Sequence, residues 1–102
     1  MNDLITPEAL QSQLAGPNPP TVIDVRGREA WRAGHIAGAR HIPFEEIAGA
    51  LDDIPRDKPV VLICNTGVRS YEAQLNLRQK GITNTYNLQG GMATVKKWGF
   101  DL

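Results

Sequence analysis

Short apolar runs alternate along this chain with stretches of helical periodicity, and the clearest run is VVLI at residues 60–63. A run of this kind, rich in β-branched residues, is typical of a buried strand. TVIDV at 21–25 and TYNL at 85–88 predict two further strands. Because helical stretches separate these strands, the pattern predicts an α/β fold with a largely parallel central sheet.

The helical stretches have recognisable starts and stops. Thr6 is followed by proline and an acidic residue, which predicts the N-terminus of a helix. We expect a short helix around residues 28–33 and a longer one over about 69–80. Gly81 is placed to end the longer helix in a left-handed turn. Residues 92–98 predict a closing helix.

Length and charge limit the functions that this chain can have. Its 102 residues fit one domain, spanning 1–102. The 11 basic and 11 acidic side chains give a net charge of zero, so neither nucleic acid nor an anionic membrane is an expected partner. The N-terminal residues lack the basic and apolar regions of a signal peptide, and no apolar stretch reaches membrane-spanning length. We therefore expect a cytoplasmic protein.

The single cysteine of the chain lies directly after its clearest strand, in the segment ICNTGVRS at 63–70. Gly67 allows the backbone to curve so that N–H groups point inward, and the following helix adds the positive end of its dipole. Arg69 adds a cation. A free thiol has a pKa of about 8.5, and such surroundings lower it. Cys64 is therefore a candidate thiolate nucleophile, although an inert cysteine at the end of a buried strand fits the loop equally well.

Two other polar residues follow the neighbouring predicted strand. Asp24 and Arg26 come at the end of TVIDV, as Cys64 comes at the end of VVLI. Ligands of open parallel sheets bind at the carboxyl ends of the strands. We therefore expect these three residues to meet at the same edge of the sheet.

Several motifs, in order, make the chain resemble the rhodanese-like single-domain sulfurtransferases. The resemblance extends from Val22 to Gly99 and is carried by DVR at 24–26, GHIAGARHIP at 34–43, CNTGVRS at 64–70, the spacing of Ala73, Leu77 and Gly81, and LQGG at 88–91. It implies a single rhodanese-like domain, in which helices cover both faces of a mostly parallel sheet.

The resemblance also implies a reaction. Cys64 would accept a sulfane sulfur from an anionic donor such as thiosulfate, become a persulfide and pass the sulfur to cyanide or to a small or protein thiol. The substrate-binding residues would be Asn65, Thr66, Gly67, Val68 and Arg69. Asp24, Arg26 and Ser70 would have supporting roles. No cofactor is implied, and His35 and His41 lack the spacing of metal ligands, so no metal site is expected.

Three other functions are compared with sulfur transfer. Cysteine-dependent phosphatases place their arginine one position farther from the cysteine; here Arg69 is five positions after Cys64 and Ser70 occupies the next position, which disfavours a phosphatase. Thiol-dependent arsenate reduction uses a similar loop and stays open. A non-catalytic docking or regulatory module also stays open, although such modules often lose the cysteine.

The sequence departs from the family pattern at two places. Val95 stands where the family often has tryptophan, and we expect Trp98, three positions later, to cover part of the same core. The neutral Asn65 stands beside the cysteine, where thiosulfate-preferring members often have a basic residue. Arg69 is thus the one cation within the loop, which leaves the identity of the donor open.

Overall fold

The computed structural model describes residues 3–100 and 102, and its centre is a sheet of five parallel strands. The strands are β1 (Leu4–Ile5), β2 (Thr21–Asp24), β3 (Arg40–His41), β4 (Val60–Ile63) and β5 (Thr85–Leu88). They lie in the order β1-β5-β4-β2-β3, so β4 is the central strand. The predicted α/β class is confirmed, and the sheet is parallel throughout its described strands rather than mostly parallel.

Helices cover both faces of this sheet, as the family resemblance implies. The α-helices are α1 (Pro7–Leu14), α2 (Arg28–Ala33), α3 (Val68–Gln79) and α4 (Met92–Val95), and 3-10 segments span Phe44–Gly49, Leu51–Asp53 and Lys96–Trp98.

Successive residues of a strand point to opposite faces. Alternate residues of the central strands therefore belong to two separate cores. One core packs under α3 and the first 3-10 segment and includes Ile23, Val60, Leu62, Ala73 and Leu77. The other packs under α1 and α4 and includes Leu10, Val22, Val61, Ile63 and Val95.

The ends of α1 and α3 follow from local sequence. Thr6 accepts a hydrogen bond from the N–H of Ala9 at 3.1 Å and so caps α1. Just after the C-terminus of α3, Gly81 has a φ of +85°. This left-handed turn lets the N–H of Ile82 reach the carbonyl oxygen of Leu77 at 2.9 Å. The fully buried Ile82 then packs in the same core as Leu77.

The edge of the sheet differs from what the sequence predicts. The two-residue strand β1, which pairs with β5 at the edge of the sheet, was not expected. Trp98 is 40% exposed, whereas Val95 is fully buried in the core under α1 and α4. These exposures do not decide whether Trp98 covers part of the same core, so that expectation stays a prediction.

The predicted domain of 1–102 also includes residues 1, 2 and 101, which lie outside the described residues. Within the part that is described, none of the helices has both the length and the apolar character needed to cross a bilayer.

Candidate active site

Cys64 lies at the carboxyl end of the central strand β4, where the cysteine loop (residues 64–70) leads into α3. Gly67 is the residue directly before the helix and has a φ of +98°, a left-handed conformation that favours glycine. The turn at Gly67 points its N–H back at the Cys64 sulfur, and the N···Sγ distance is 3.0 Å. The thiol thus lies at the N-terminus of a helix of 12 residues.

Burial and hydrogen bonding act on Cys64 in opposite directions. Cys64 is only 4% exposed, and its burial raises the pKa of the thiol because a buried charge loses its hydration. The Ser70 hydroxyl, whose Oγ is 3.2 Å from Sγ, lowers that pKa, as do the backbone N–H groups of Ser70, Gly67 and Thr66. The hydrogen bonds outweigh the burial, so the pKa of Cys64 lies below its ordinary value. Arg69, which the sequence analysis invoked, is not among the causes of this shift.

Asn87, on the neighbouring strand β5, connects two parts of the cysteine loop, and the sequence analysis missed it. Its Oδ1 accepts a hydrogen bond from Ser70 Oγ at 2.5 Å, and its Nδ2 donates to the carbonyl oxygen of Gly67 at 2.9 Å. Asn87 is 4% exposed. A signal for it existed in TYNL, because an asparagine inside a short buried strand needs internal hydrogen-bond partners.

The backbone of the cysteine loop is also held from the other side, by the turn that follows β5. The N–H of Met92 donates to the carbonyl oxygen of Cys64 at 2.8 Å, and the N–H of Ala93 donates to that of Asn65 at 3.1 Å. A Cβ atom on Gly91 would lie 2.4 Å from the Cys64 oxygen, so only glycine permits this approach. The LQGG motif therefore supports the cysteine loop, a function that sequence analysis did not assign to it.

Asp24 and Arg26 form a buried ion pair beside the site. Arg26 Nη2 lies 2.7 Å from Asp24 Oδ2, Arg26 Nε lies 3.0 Å from Oδ1, and the two side chains are 8% and 1% exposed. Arg26 Nη2 also donates to the carbonyl oxygen of Gly34 at 2.7 Å. In the described part of the chain, the side-chain hydrogen bonds of this pair stay within residues 24–34, and none of them goes to the cysteine loop. The pair holds the segment that forms one wall of the site.

A depression of about 440 Å³ opens above Cys64. Of the predicted site residues, the structure brings to its lining Arg26, Cys64, Asn65, Thr66, Val68 and Arg69; Val25, Gly27, Phe44 and Glu45 complete it. Gly67 and Ser70 lie behind the sulfur, and Asp24 lies below the surface. The exposed guanidinium of Arg69 stacks over the Phe44 ring, with 4.8 Å between its Cζ and the ring centroid. The depression can hold a small ligand, with an arginine at its rim.

The two histidines lie to one side of this depression, around Trp31. His35 Nδ1 is 2.8 Å from the Trp31 carbonyl oxygen, and His41 Nε2 is 2.7 Å from the Arg26 carbonyl oxygen. Both rings stack on the Trp31 indole. His41 is half-buried. Among the described residues, no group of three or more His, Cys, Asp or Glu side chains is arranged to hold a metal ion.

Comparison with known proteins agrees with this geometry. The family model for the rhodanese-like domain matches residues 6–97. The chain belongs to the rhodanese-like domain family. The match covers every strand except β1 together with the whole cysteine loop.

Three relatives illustrate the similarity of this rhodanese-like domain to known proteins. It is 45% identical to the uncharacterised protein YqhL of Bacillus subtilis over 83% of this chain and 65% of that protein. It is 33% identical to the thiosulfate sulfurtransferase GlpE of Pseudomonas aeruginosa over 85% of this chain and 77% of GlpE. The crystal structure of a rhodanese-like domain protein from Staphylococcus aureus superposes with a TM-score of 0.89 at 29% identity, covering 100% of this chain and 98% of that one. Since the match to YqhL covers 65% of that protein, this chain spans less than two thirds of its length.

The lowered pKa of Cys64 predicts the pH dependence of its alkylation. Since the thiolate is the reactive form, the rate with iodoacetamide should stay high as the pH falls below the ordinary range of a thiol, and should decline only when the pH passes through the lowered pKa. The same chain unfolded in urea is the matched control, because it contains the same single cysteine. Coincident pH profiles for the folded and unfolded chains would contradict this prediction.

The close approach of Gly91 to the cysteine loop predicts a second outcome. Gly91→Ala should lower the free energy of unfolding by about 2–4 kcal/mol, because the added Cβ would overlap the Cys64 and Asn65 backbone. Gly49→Ala is the control, since its Cβ would meet open space. Urea denaturation of the two variants measures the difference. Similar stability of Gly91→Ala and the unmodified chain would show that the turn after β5 can move away without cost.

Proposed function

We propose that this rhodanese-like domain is a sulfurtransferase in which Cys64 carries the sulfur as a persulfide. The observation that carries the proposal is the environment of the Cys64 sulfur, which lies at the N-terminus of α3 and accepts a hydrogen bond from the Gly67 N–H at 3.0 Å. A lowered thiol pKa and a depression open to small molecules add to it. The name of the relative GlpE, a thiosulfate sulfurtransferase, supports the same chemistry.

The proposed reaction has two steps. In the first, the Cys64 thiolate attacks the sulfane sulfur of thiosulfate, a new S–S bond forms, and sulfite leaves with the electron pair of the broken bond. The product is a persulfide whose terminal sulfur carries the negative charge. In the second step, cyanide or a thiolate attacks that terminal sulfur, and the Cys64 thiolate is released. No proton or external oxidant is needed in either step with cyanide as the acceptor.

The cysteine loop provides stabilisation for the negative charge in both states of this cycle. Backbone N–H groups of the loop stabilise the free thiolate. We infer that the N–H groups of Asn65 to Arg69 stabilise the terminal sulfur of the persulfide in the same way. Arg69 at the rim is the candidate to bind the oxygen atoms of the donor, since its guanidinium is exposed and Arg26 is already paired with Asp24.

Partners and location follow from this proposal. The donor is a small sulfur-containing anion, and the acceptor is cyanide in the assay or a small or protein thiol in the cell. A reducing compartment keeps a lone reactive cysteine from oxidation, so we propose a cytoplasmic location.

Replacement of the sulfur tests the mechanism directly. Cys64→Ser should abolish sulfur transfer and leave the fold intact, because serine is nearly isosteric but cannot form a persulfide. Incubation of the unmodified chain with thiosulfate should add the mass of one sulfur atom, which cyanide should remove. Intact-mass analysis measures both, and circular dichroism checks the fold of the serine variant. Sulfur transfer by Cys64→Ser at an appreciable rate would overturn the proposal. Reduction of arsenate by the unmodified chain, without transfer of sulfur from thiosulfate, would favour the arsenate reductase instead.

Arg69 should matter more for the anionic donor than for the acceptor. Arg69→Lys keeps the charge but loses the planar pair of donors, and Arg69→Ala loses both. Loss of a charge-assisted hydrogen bond of roughly 1.5–3 kcal/mol should lower kcat/KM for thiosulfate by about ten- to a hundredfold in Arg69→Ala, with Arg69→Lys intermediate. Discharge of the preformed persulfide to cyanide should change less.

An exposed arginine elsewhere provides the control for the Arg69 series. Arg56 is exposed and does not line the depression, so Arg56→Ala removes the same charge from a distant turn and should leave both half-reactions unchanged. Equal losses in the two half-reactions of Arg69→Ala would show that Arg69 shapes the cysteine loop instead of binding the donor.

A further inference from the structure

The hydrogen bonds behind the Cys64 sulfur involve a single shared proton. Ser70 Oγ lies 3.2 Å from Cys64 Sγ and 2.5 Å from Asn87 Oδ1. A serine hydroxyl has one proton to donate, and an amide oxygen can only accept. The orientation of the Asn87 amide is settled by its other end, because Nδ2 must face the carbonyl oxygen of Gly67, which is also only an acceptor. Ser70 can therefore donate its hydrogen bond to Asn87 Oδ1 or to the Cys64 sulfur, but not to both at once.

Which of the two receives the proton depends on the state of Cys64. Beside the neutral thiol, Ser70 can donate to Asn87 Oδ1 and accept from the S–H group. Beside the thiolate, Ser70 stabilises the charge only by turning its proton toward Sγ. Asn87 Oδ1 then loses its donor, and Ser70 is the one side chain that donates to it within the part of the chain described. Asn87 is 4% exposed, so an unpaired oxygen at this position costs free energy.

We propose that Asn87 is a positioning residue that competes with the Cys64 thiolate for the Ser70 proton and so limits how far the loop stabilises the free thiolate. The consequence concerns the proposed sulfur transfer. In the persulfide the inner sulfur is bonded twice and carries no charge, so the Ser70 proton can return to Asn87. The competition therefore lowers the stability of the free thiolate but not that of the persulfide. This difference favours acceptance of sulfur by Cys64.

The charged groups around the sulfur do not produce this effect. The ionisable side chains that line the depression with Cys64 are Arg26, from the segment after β2, Glu45, from the first 3-10 segment, and Arg69, from α3. Arg26 is paired with Asp24, and Arg69 stacks on Phe44. None of these groups makes a hydrogen bond to the Asn87 side chain in the described structure. Their influence on Cys64 is the same whether or not Asn87 is present.

A double-mutant cycle isolates the shared proton. Asn87→Leu removes the competing acceptor, and Ser70→Ala removes the proton for which it competes. The readout is the pH profile of Cys64 alkylation by iodoacetamide in four proteins: the unmodified chain, the two single variants and the double variant. Asn87→Leu also loses the bond to Gly67 and makes the site less polar, but these changes occur in both backgrounds and cancel in the cycle.

The expected result is a difference between the backgrounds. With Ser70 present, Asn87→Leu frees the Ser70 hydroxyl to donate a hydrogen bond to the thiolate. At pH values below the midpoint of the profile, the factor by which Asn87→Leu changes the alkylation rate should then be about three to five times larger with Ser70 present than in the Ser70→Ala background. This figure allows for the lower nucleophilicity of a more acidic thiol. An equal effect of Asn87→Leu in both backgrounds, or a smaller one with Ser70 present, would overturn the proposal and leave Asn87 a structural support of Gly67.

Two further variants complete the experiment. Asn87→Ala removes the same acceptor without adding bulk, so it provides the test if the leucine variant does not fold. Asn84→Leu is the matched control, because Asn84 is another asparagine that makes two hydrogen bonds, in its case from Nδ2 to the carbonyl oxygens of Pro55 and Lys58, away from the cysteine. Its alkylation profile should match that of the unmodified chain. No sulfur donor is used at any stage, so failure of this proposal is distinguishable from failure of the proposed sulfur transfer.

Discussion

The carbonyl groups of Cys64 and Asn65 accept hydrogen bonds from the N–H groups of Met92 and Ala93, and the shape of the cysteine loop depends on this contact. A peptide group is planar, with its C=O and N–H pointing in opposite directions. Binding the Cys64 and Asn65 carbonyls from outside therefore turns the N–H groups that follow them toward the inside of the loop. Gly91 makes the contact possible, because any side chain there would overlap the loop backbone.

The same loop has to compensate for the burial of its nucleophile. Burial alone favours the neutral thiol, and the net pKa of Cys64 is nevertheless lowered, since the hydrogen bonds from Ser70 and the loop N–H groups contribute more. This stabilisation comes from donors that are fixed by β5 and the turn after it. The backbone N–H donors of the loop need no reorganisation when charge develops on the sulfur, which is the physical basis of the proposed catalysis. The Ser70 hydroxyl is the exception, because it has to turn its proton from Asn87 toward the sulfur.

Several parts of the fold could be predicted from local sequence because local physics decides them. The cap of α1 at Thr6 and the left-handed stop of α3 at Gly81 depend on contacts within a few residues. The two-residue strand β1 could not be predicted, because its pairing partner β5 is distant in the chain. The full burial of Val95 could not be predicted for a similar reason, since the volume left in that core is set by helices from both ends of the chain.

For the site, the sequence by itself determined the position of Cys64 after a central strand, the glycine turn and the start of α3, since these are neighbours in the chain. It also indicated that Arg26 and the cysteine loop would meet at one edge of the sheet. Only the tertiary structure decided what each group contacts: Asn87 behind Ser70, and Arg69 against Phe44. The physical reason is that a hydrogen bond or a stacking contact depends on distances between segments far apart in sequence, which only the packed sheet and helices set.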